Sequence, residues 1–123
     1  MTILGSRGLI AAAVNSVDAS FKVKDRQPKS SLSPRAGDGW VFVEGVEPEG
    51  FRTSAVRFGV IVVVGSDVSN AEQAIDDHAI GILDALCSMP DLPSANVSVE
   101  PASVPVGDAG AMYALIAKLT VEV

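Results

Sequence analysis

This chain has very little with which to staple, stack or catalyse. Its 123 residues include one cysteine, Cys87, and one histidine, His78. A lone cysteine forms no internal disulfide, so no cross-link holds the fold. Aromatic residues make up only 5% of the chain while apolar residues reach 48%. The core must therefore be built from Val, Ile, Leu and Ala. No unbroken apolar stretch exceeds the seven residues Ala111 to Ala117, and Val60 to Val64 is bounded by Gly59 and Gly65. That is far short of the about 20 residues a membrane-spanning helix needs, and no membrane partner is expected. Near the start, one charge, Arg7, precedes the apolar run Leu9 to Val14. A secretory signal wants a basic segment and about 7–15 apolar residues. An amphipathic first helix is the expectation instead.

The chemistry is as sparse as the composition. His78 and Cys87 stand nine residues apart on one expected helix. Steps of about 100° put them on opposite faces, roughly 13 Å apart along the axis. That excludes a Cys–His dyad within the chain. Asp76, Asp77 and His78 are consecutive, so on a helix they diverge and cannot converge on one ion. No Gly-x-Ser-x-Gly elbow and no Gly-rich loop followed by Lys-Ser or Lys-Thr occurs. Hence no catalytic residue, metal ligand or cofactor site is assigned. His78 reads as a packed, hydrogen-bonded histidine and Cys87 as a small helix residue. The expectation is a protein that is not an enzyme.

Charge is present, and unevenly placed. Residues 1–35 hold six basic side chains (Arg7, Lys22, Lys24, Arg26, Lys29, Arg35) and two acids, a balance of +4. Residues 36–123 balance to −10. Such a split favours head-to-tail contact between copies, or it is a solvated acidic surface with one basic loop. The segment at about 21–39 is rich in Ser, Pro and Gly, which gives it no packed core of its own. It is expected to be mobile in a free monomer and to order on assembly. There Lys22, Lys24, Arg26, Lys29 and Arg35 would bind an acidic surface of a neighbouring subunit or another partner protein. Exposed ion pairs contribute at most about 1 kcal/mol each, so Phe21, Leu32 or Trp40 must be buried as well. The segment lacks the aromatic interleaving of single-strand binders, and no sequence-specific nucleic-acid partner is expected.

The pattern along the chain predicts an α+β fold in a single domain, 1–123. A largely antiparallel sheet carries one long helix across a face and an N-terminal helix. The first helix is expected over 6–17, capped by Ser6, with Leu9, Ile10, Ala13, Val14 and Val17 at helical spacing. Phe21 and Val23 alternate with Lys22 and Lys24, which suits a short strand. Trp40 to Glu44 and Thr53 to Val64 read as strands, the second apolar on both faces beyond Phe58. Ser69 to Ser88 is the clearest helix, with Ser69 and Glu72 as a capping box and Pro90 and Pro93 beyond its end. Asn96 to Glu100 and Met112 to Val123 are the last strands, joined by a loop holding Pro101 and Pro105.

On the long helix Ala71, Ile75, Ala79, Ile82, Leu83 and Leu86 share a core stripe. A second, small-residue stripe holds Ala74, His78, Gly81 and Ala85, with Ile80 alone at the polar edge. A mid-helix glycine costs about 1 kcal/mol relative to Ala. Gly81 is easier to understand where another backbone comes close, either the first helix or a neighbouring subunit. A two-layer fold uses one helix face, which favours Ala74, His78, Ile80, Gly81 and Ala85 as a subunit contact.

This layout resembles the tail terminator proteins of bacteriophages with long, non-contractile tails. The matching parts are the helix at Arg7–Val17, the loop reaching Gly37-Asp38-Gly39-Trp40, and the run from Val56 to Val64. The helix with Ala74-Ile75-Asp76 and Ile82 to Leu86 follows, then the closing strand from Tyr113 to Val123. The resemblance implies a homo-oligomeric, hexameric ring at the head-proximal end of the virion tail, assembled in the host cytoplasm. The ring would cap the tail tube, end its polymerisation and offer a surface to the head–tail connector protein, with DNA passing through it. The family carries no catalytic residues. Another head–tail joining or minor tail protein fits the same features. A small regulatory ligand-binding α/β module is the reading from a different class, but it wants converging polar groups in a pocket, and the sequence points to none.

Overall fold

A computed structural model describes residues 2–27, 35–65, 67–105 and 111–123. The elements in chain order are α1 (Ile3–Asn15), β1 (Lys22–Lys24), β2 (Asp38–Pro48), β3 (Ser54–Gly65), α2 (Val68–Cys87), β4 (Ser94–Pro105) and β5 (Ala111–Glu122). The strands form one sheet in the order β1-β2-β3-β5-β4. β1 runs parallel to β2 and every other neighbouring pair is antiparallel. This is the expected α+β class in one compact domain.

The sheet is held by alternation. On β3, Val56, Phe58, Val60 and Val62 point to one side, where they meet Val121, Leu119, Ala117 and Leu115 of β5. All eight are buried. Val41 and Val43 of β2 extend the same layer, paired with Val60 and Phe58. Both helices pack on this side. α1 brings Ile10, Ala11 and Val14 over β1 and β2, and α2 brings Ala74, Ile82 and Leu86 over β3, β5 and β4. Each Val, Leu, Ile or Phe among them stabilises by about 1.5–3 kcal/mol when fully buried.

Several boundaries move from their expected places, each for a local reason. α1 begins a turn early. The Thr2 hydroxyl accepts from the Gly5 N–H at 2.9 Å. Ser6, expected as the cap, is fully buried and donates to the Thr2 carbonyl at 2.9 Å. α2 is capped by Asp67, whose carboxylate accepts from the Ser69 N–H at 3.0 Å. Ser69 therefore sits inside the first turn and does not cap. Pro101 lies in β4 and not in a loop. β4 is an edge strand, where a residue without an N–H is tolerated. Asn96, at φ 54°, falls where the β4–β5 register shifts between Ala95 and Ser98.

The segment expected as a loop over 21–39 is tied down at both ends. Lys22–Lys24 is a strand, and Asp38 and Gly39 already belong to β2. Gly37 takes φ +94°, which glycine alone adopts easily. Its N–H donates to the Val63 carbonyl at 2.7 Å and its carbonyl accepts from the Lys22 N–H at 2.8 Å. Leu32 and Lys29 lie outside the described residues.

β2 and β3 form a hairpin that bulges between Val43 and Gly45. Its tip is closed by the Glu49 N–H to the Thr53 carbonyl at 3.0 Å and by the Thr53 hydroxyl to the Glu49 carbonyl. Gly50 and Arg52 both take positive φ there. The turn holds Phe51 out at 88% exposure, under the Arg52 guanidinium 5.5 Å from its ring centre.

On the sheet side away from the helices, the outer end of the Phe42 ring covers Gly59, its cross-strand partner. A Cβ at Gly59 would overlap that ring. Gly59→Val is expected to lower the unfolding free energy by about 1–3 kcal/mol, as overpacking does. In a Phe42→Ala background most of that penalty should vanish. Urea denaturation of the four proteins checks this, and an equal penalty in both backgrounds would exclude the ring as the cause.

Candidate functional site

Two polar side chains of α1 close the sheet edge. Val23 is the middle residue of β1, with its backbone turned away from β2. Asn15 fills that gap from α1: its amide donates to the Val23 carbonyl at 3.0 Å, and its oxygen accepts from the Val23 N–H at 2.7 Å. Arg7, two turns earlier, donates from Nη1 to the Asp25 carbonyl at 3.1 Å and the Val41 carbonyl at 3.0 Å. Arg7 thus seals β2 where β1 stops pairing. It is a structural cation and takes no part in a basic surface.

The small-residue stripe of α2 faces α1 of the same chain. A Cβ on Gly81 would meet only the Val17 side chain, at 3.1 Å. Ala74 is buried in the core. His78 packs against the Phe21 ring at 5.0 Å in a tilted-edge arrangement. Its Nε2 stands 3.8 Å from the Asp18 carboxylate. Within the single chain the first helix and the turn after it lie beside this stripe, which takes Ala74 into the core, while Gly81 stays exposed. Ala85 is half-buried. Ile80 is the exception, at 68% exposure.

Ile80 stands at the centre of the free face of α2. Asp76, Asp77 and Asp84 lie four and three residues before it and four after it, so they surround it on the helix surface. All three are exposed, as are Glu72 and Gln73. Gln73 donates to Asp77 at 3.0 Å. No Lys or Arg occurs in Val68–Cys87, so nothing on the helix itself offsets this charge.

The sheet side away from the helices carries the second surface. Trp40, Ile61 and Ile116 are register neighbours across β2, β3 and β5 and form one row there. All three are half-buried, and no described helix covers them. A one-sided antiparallel sheet normally turns polar residues outward. The row is flanked by Lys24, the register partner of Trp40, with Lys22 two residues away. Val23 is buried among the core residues, so Lys22 and Lys24 point to this open side. Farther along, Lys118 bridges Glu44 at 3.5 Å and Glu100 at 4.0 Å.

The remaining sequence-assigned cations are scattered. Arg26 is exposed and stands 3.9 Å from Asp25. Arg35 is exposed, and its backbone N–H donates to the Asp38 carboxylate at 2.8 Å. Phe21, expected to be buried on assembly, is already buried within the monomer. The row across Trp40, Ile61 and Ile116 was not assigned from sequence. Its signal was the second apolar face of Val60 to Val64. Among the described residues, no group of three or more His, Cys, Asp or Glu side chains gathers as a metal site would. No described helix is long and apolar enough to cross a membrane. Comparison with protein-family models and with curated protein sequences finds no match.

Two stability tests follow from the α1–α2 contact. Gly81→Leu is expected to cost about 1–3 kcal/mol, and Val17→Ala should relieve part of it in a double-mutant cycle. Additive effects would show that Val17 is not what Gly81 makes room for. At the neighbouring turn, the Ser20 hydroxyl and then the Ser20 N–H hold the Asp18 carboxyl below its ordinary value, with His78 adding to the pull. A carboxyl with a lowered folded pKa contributes stability above its unfolded value, about 4, and loses it as pH falls through the folded one. Between pH 7 and pH 2 the parent should lose more stability than Asp18→Asn does. Parallel pH profiles for the two proteins would remove Asp18 from the account.

Proposed function

We propose that this chain is a ring-forming structural protein of virion assembly, resembling the tail terminators of long, non-contractile-tailed bacteriophages. It works by association, not catalysis. Its partners are further copies of itself, the tail tube protein and the head–tail connector protein, at the head-proximal end of the tail. The observation that carries this reading is the one-sided sheet. Both helices pack on one face, while Trp40, Ile61 and Ile116 make an apolar row on the other. Such a face is suited to a further layer supplied by another chain. The element order supports the same reading: a first helix, a basic segment, a strand rising into the central strand, one long helix and a closing strand. The hairpin tip adds a third support. It presents Phe51 fully outward on a turn held by two hydrogen bonds, as a preorganised anchor for a partner would be.

The test has two parts. The purified chain is expected at a native mass near six times its 12.7 kDa, either alone or once tail tube protein is present. Added to polymerising tube protein, it should bind at tube ends and stop elongation. A chain that stays monomeric in both conditions refutes the ring. A ring that leaves tube length unchanged would move the protein to another head–tail joining or minor tail role.

A further inference from the structure

Two surfaces that have no partner among the described residues are complementary, and they cannot meet within one molecule. The free face of α2 points away from the sheet on the helix side, while Lys22, Lys24 and Trp40 lie on the other side. One surface is an exposed isoleucine ringed by three aspartates. The other is an apolar row with two lysines at its border. Neither lysine forms an ion pair with another described residue, nor does any of the three aspartates.

We infer that α2 of one copy docks on the open sheet face of a second copy of this chain. Ile80 lies on the row formed by Trp40, Ile61 and Ile116, and the aspartates beside it reach Lys22 and Lys24. The inference rests on the proposal that the chain assembles with itself, and it names the surfaces that do so. A helix layer on a sheet side that no described helix covers is an ordinary packing solution. The borrowed helix would complete a three-layer arrangement that the described residues leave at two. Because the joined surfaces differ, the contact is heterologous, and each copy has one of each to offer. Contacts of that kind generate a ring when the rotation closes. Strand addition at the β1 edge is a poorer route, since Asn15 already occupies the free backbone of Val23.

Charge reversal tests the pairing directly. In one variant Asp76→Lys and Asp84→Lys make the helix face basic, and in the other Lys22→Glu and Lys24→Glu make the sheet border acidic. All four side chains are exposed, and thermal melts confirm that each variant folds. Native mass is then measured for the parent, for each variant, and for an equimolar mixture. The parent should assemble, each variant alone should be monomeric at the same concentration, and the mixture should recover assembly in alternating copies. Ile80→Ser, which leaves every charge in place, should weaken assembly about tenfold or more, as loss of a central anchor does. Variants that assemble like the parent overturn this docking while leaving the ring proposal standing. Variants that keep the parent's mass but lose the tube protein assign the α2 face to that partner and overturn the inference equally. A parent that is monomeric in every condition overturns the docking and the ring together.

Discussion

One row of side chains carries this fold. The helix-facing positions of β3 and β5 run Val56, Phe58, Val60, Val62 and Leu115, Ala117, Leu119, Val121, and both helices rest on them. With so few aromatics, the layer is built from branched aliphatic residues whose alternation leaves no spare position. A one-residue slip of either strand would turn the whole set outward. The register is therefore fixed by burial. Bulges interrupt the ladder only near Val43, Val63 and Ala95 among the described residues. α2 needs its core stripe for this surface, and it turns its small-residue stripe to α1. That leaves one side of the helix, the one centred on Ile80, without an internal partner.

The edges of the sheet follow from the same economy of elements. β1 is only three residues long and would leave most of β2 uncovered. α1 compensates with polar side chains from its sheet-facing side, Asn15 for Val23 and Arg7 for Val41. Unpaired strand edges invite uncontrolled pairing with other chains. On the far side, β4 carries Pro101 and Pro105, which interrupt the donors a new strand would need. Association by edge pairing is thus discouraged at both ends of the sheet, and the faces are left as the surfaces for specific contact.

The parts of this structure that were legible in the sequence are those written as periodicities. The final strand alternates from Tyr113 to Val123, and the core stripe of α2 repeats through Ala71, Ile82 and Leu86; both elements form where they were expected. The alternation of Trp40 and Phe42 against Val41 and Val43 also survives intact. What was not legible depends on geometry between distant residues. Asp67 and Ser69 are both good caps two positions apart, and only the loop leaving β3 decides between them. Pro101 argued for a loop because position in a sheet, edge or centre, has no sequence signature of its own. Gly81 marked a close contact, but its neighbour Val17 comes from an element whose position α2 alone does not determine. The roles of Arg7 and Asn15 were invisible, since each replaces a missing strand neighbour. The site divides in the same way. Ile80 was singled out as an apolar residue at a polar edge. Its apolar counterpart needed the register of three strands to appear.

That register also bears on how an assembly of this chain would be specified. Exposed lysine–aspartate pairs contribute little net free energy and are screened over about 8–10 Å at physiological ionic strength. They steer approach and penalise wrong pairings more than they hold copies together. Holding falls to the apolar centre, where Ile80 and the row across Trp40, Ile61 and Ile116 can exclude water. The separation of roles has a consequence for symmetry. Two identical acidic helix faces repel, and so do two identical basic borders, so the two-fold arrangement that a small apolar patch would otherwise permit is disfavoured. Only the unlike pairing brings opposite charges and both apolar centres together at once. With Lys22 and Lys24 on one side of the sheet and Asp76, Asp77 and Asp84 on the other, such an assembly would be biased toward head-to-tail addition of successive copies.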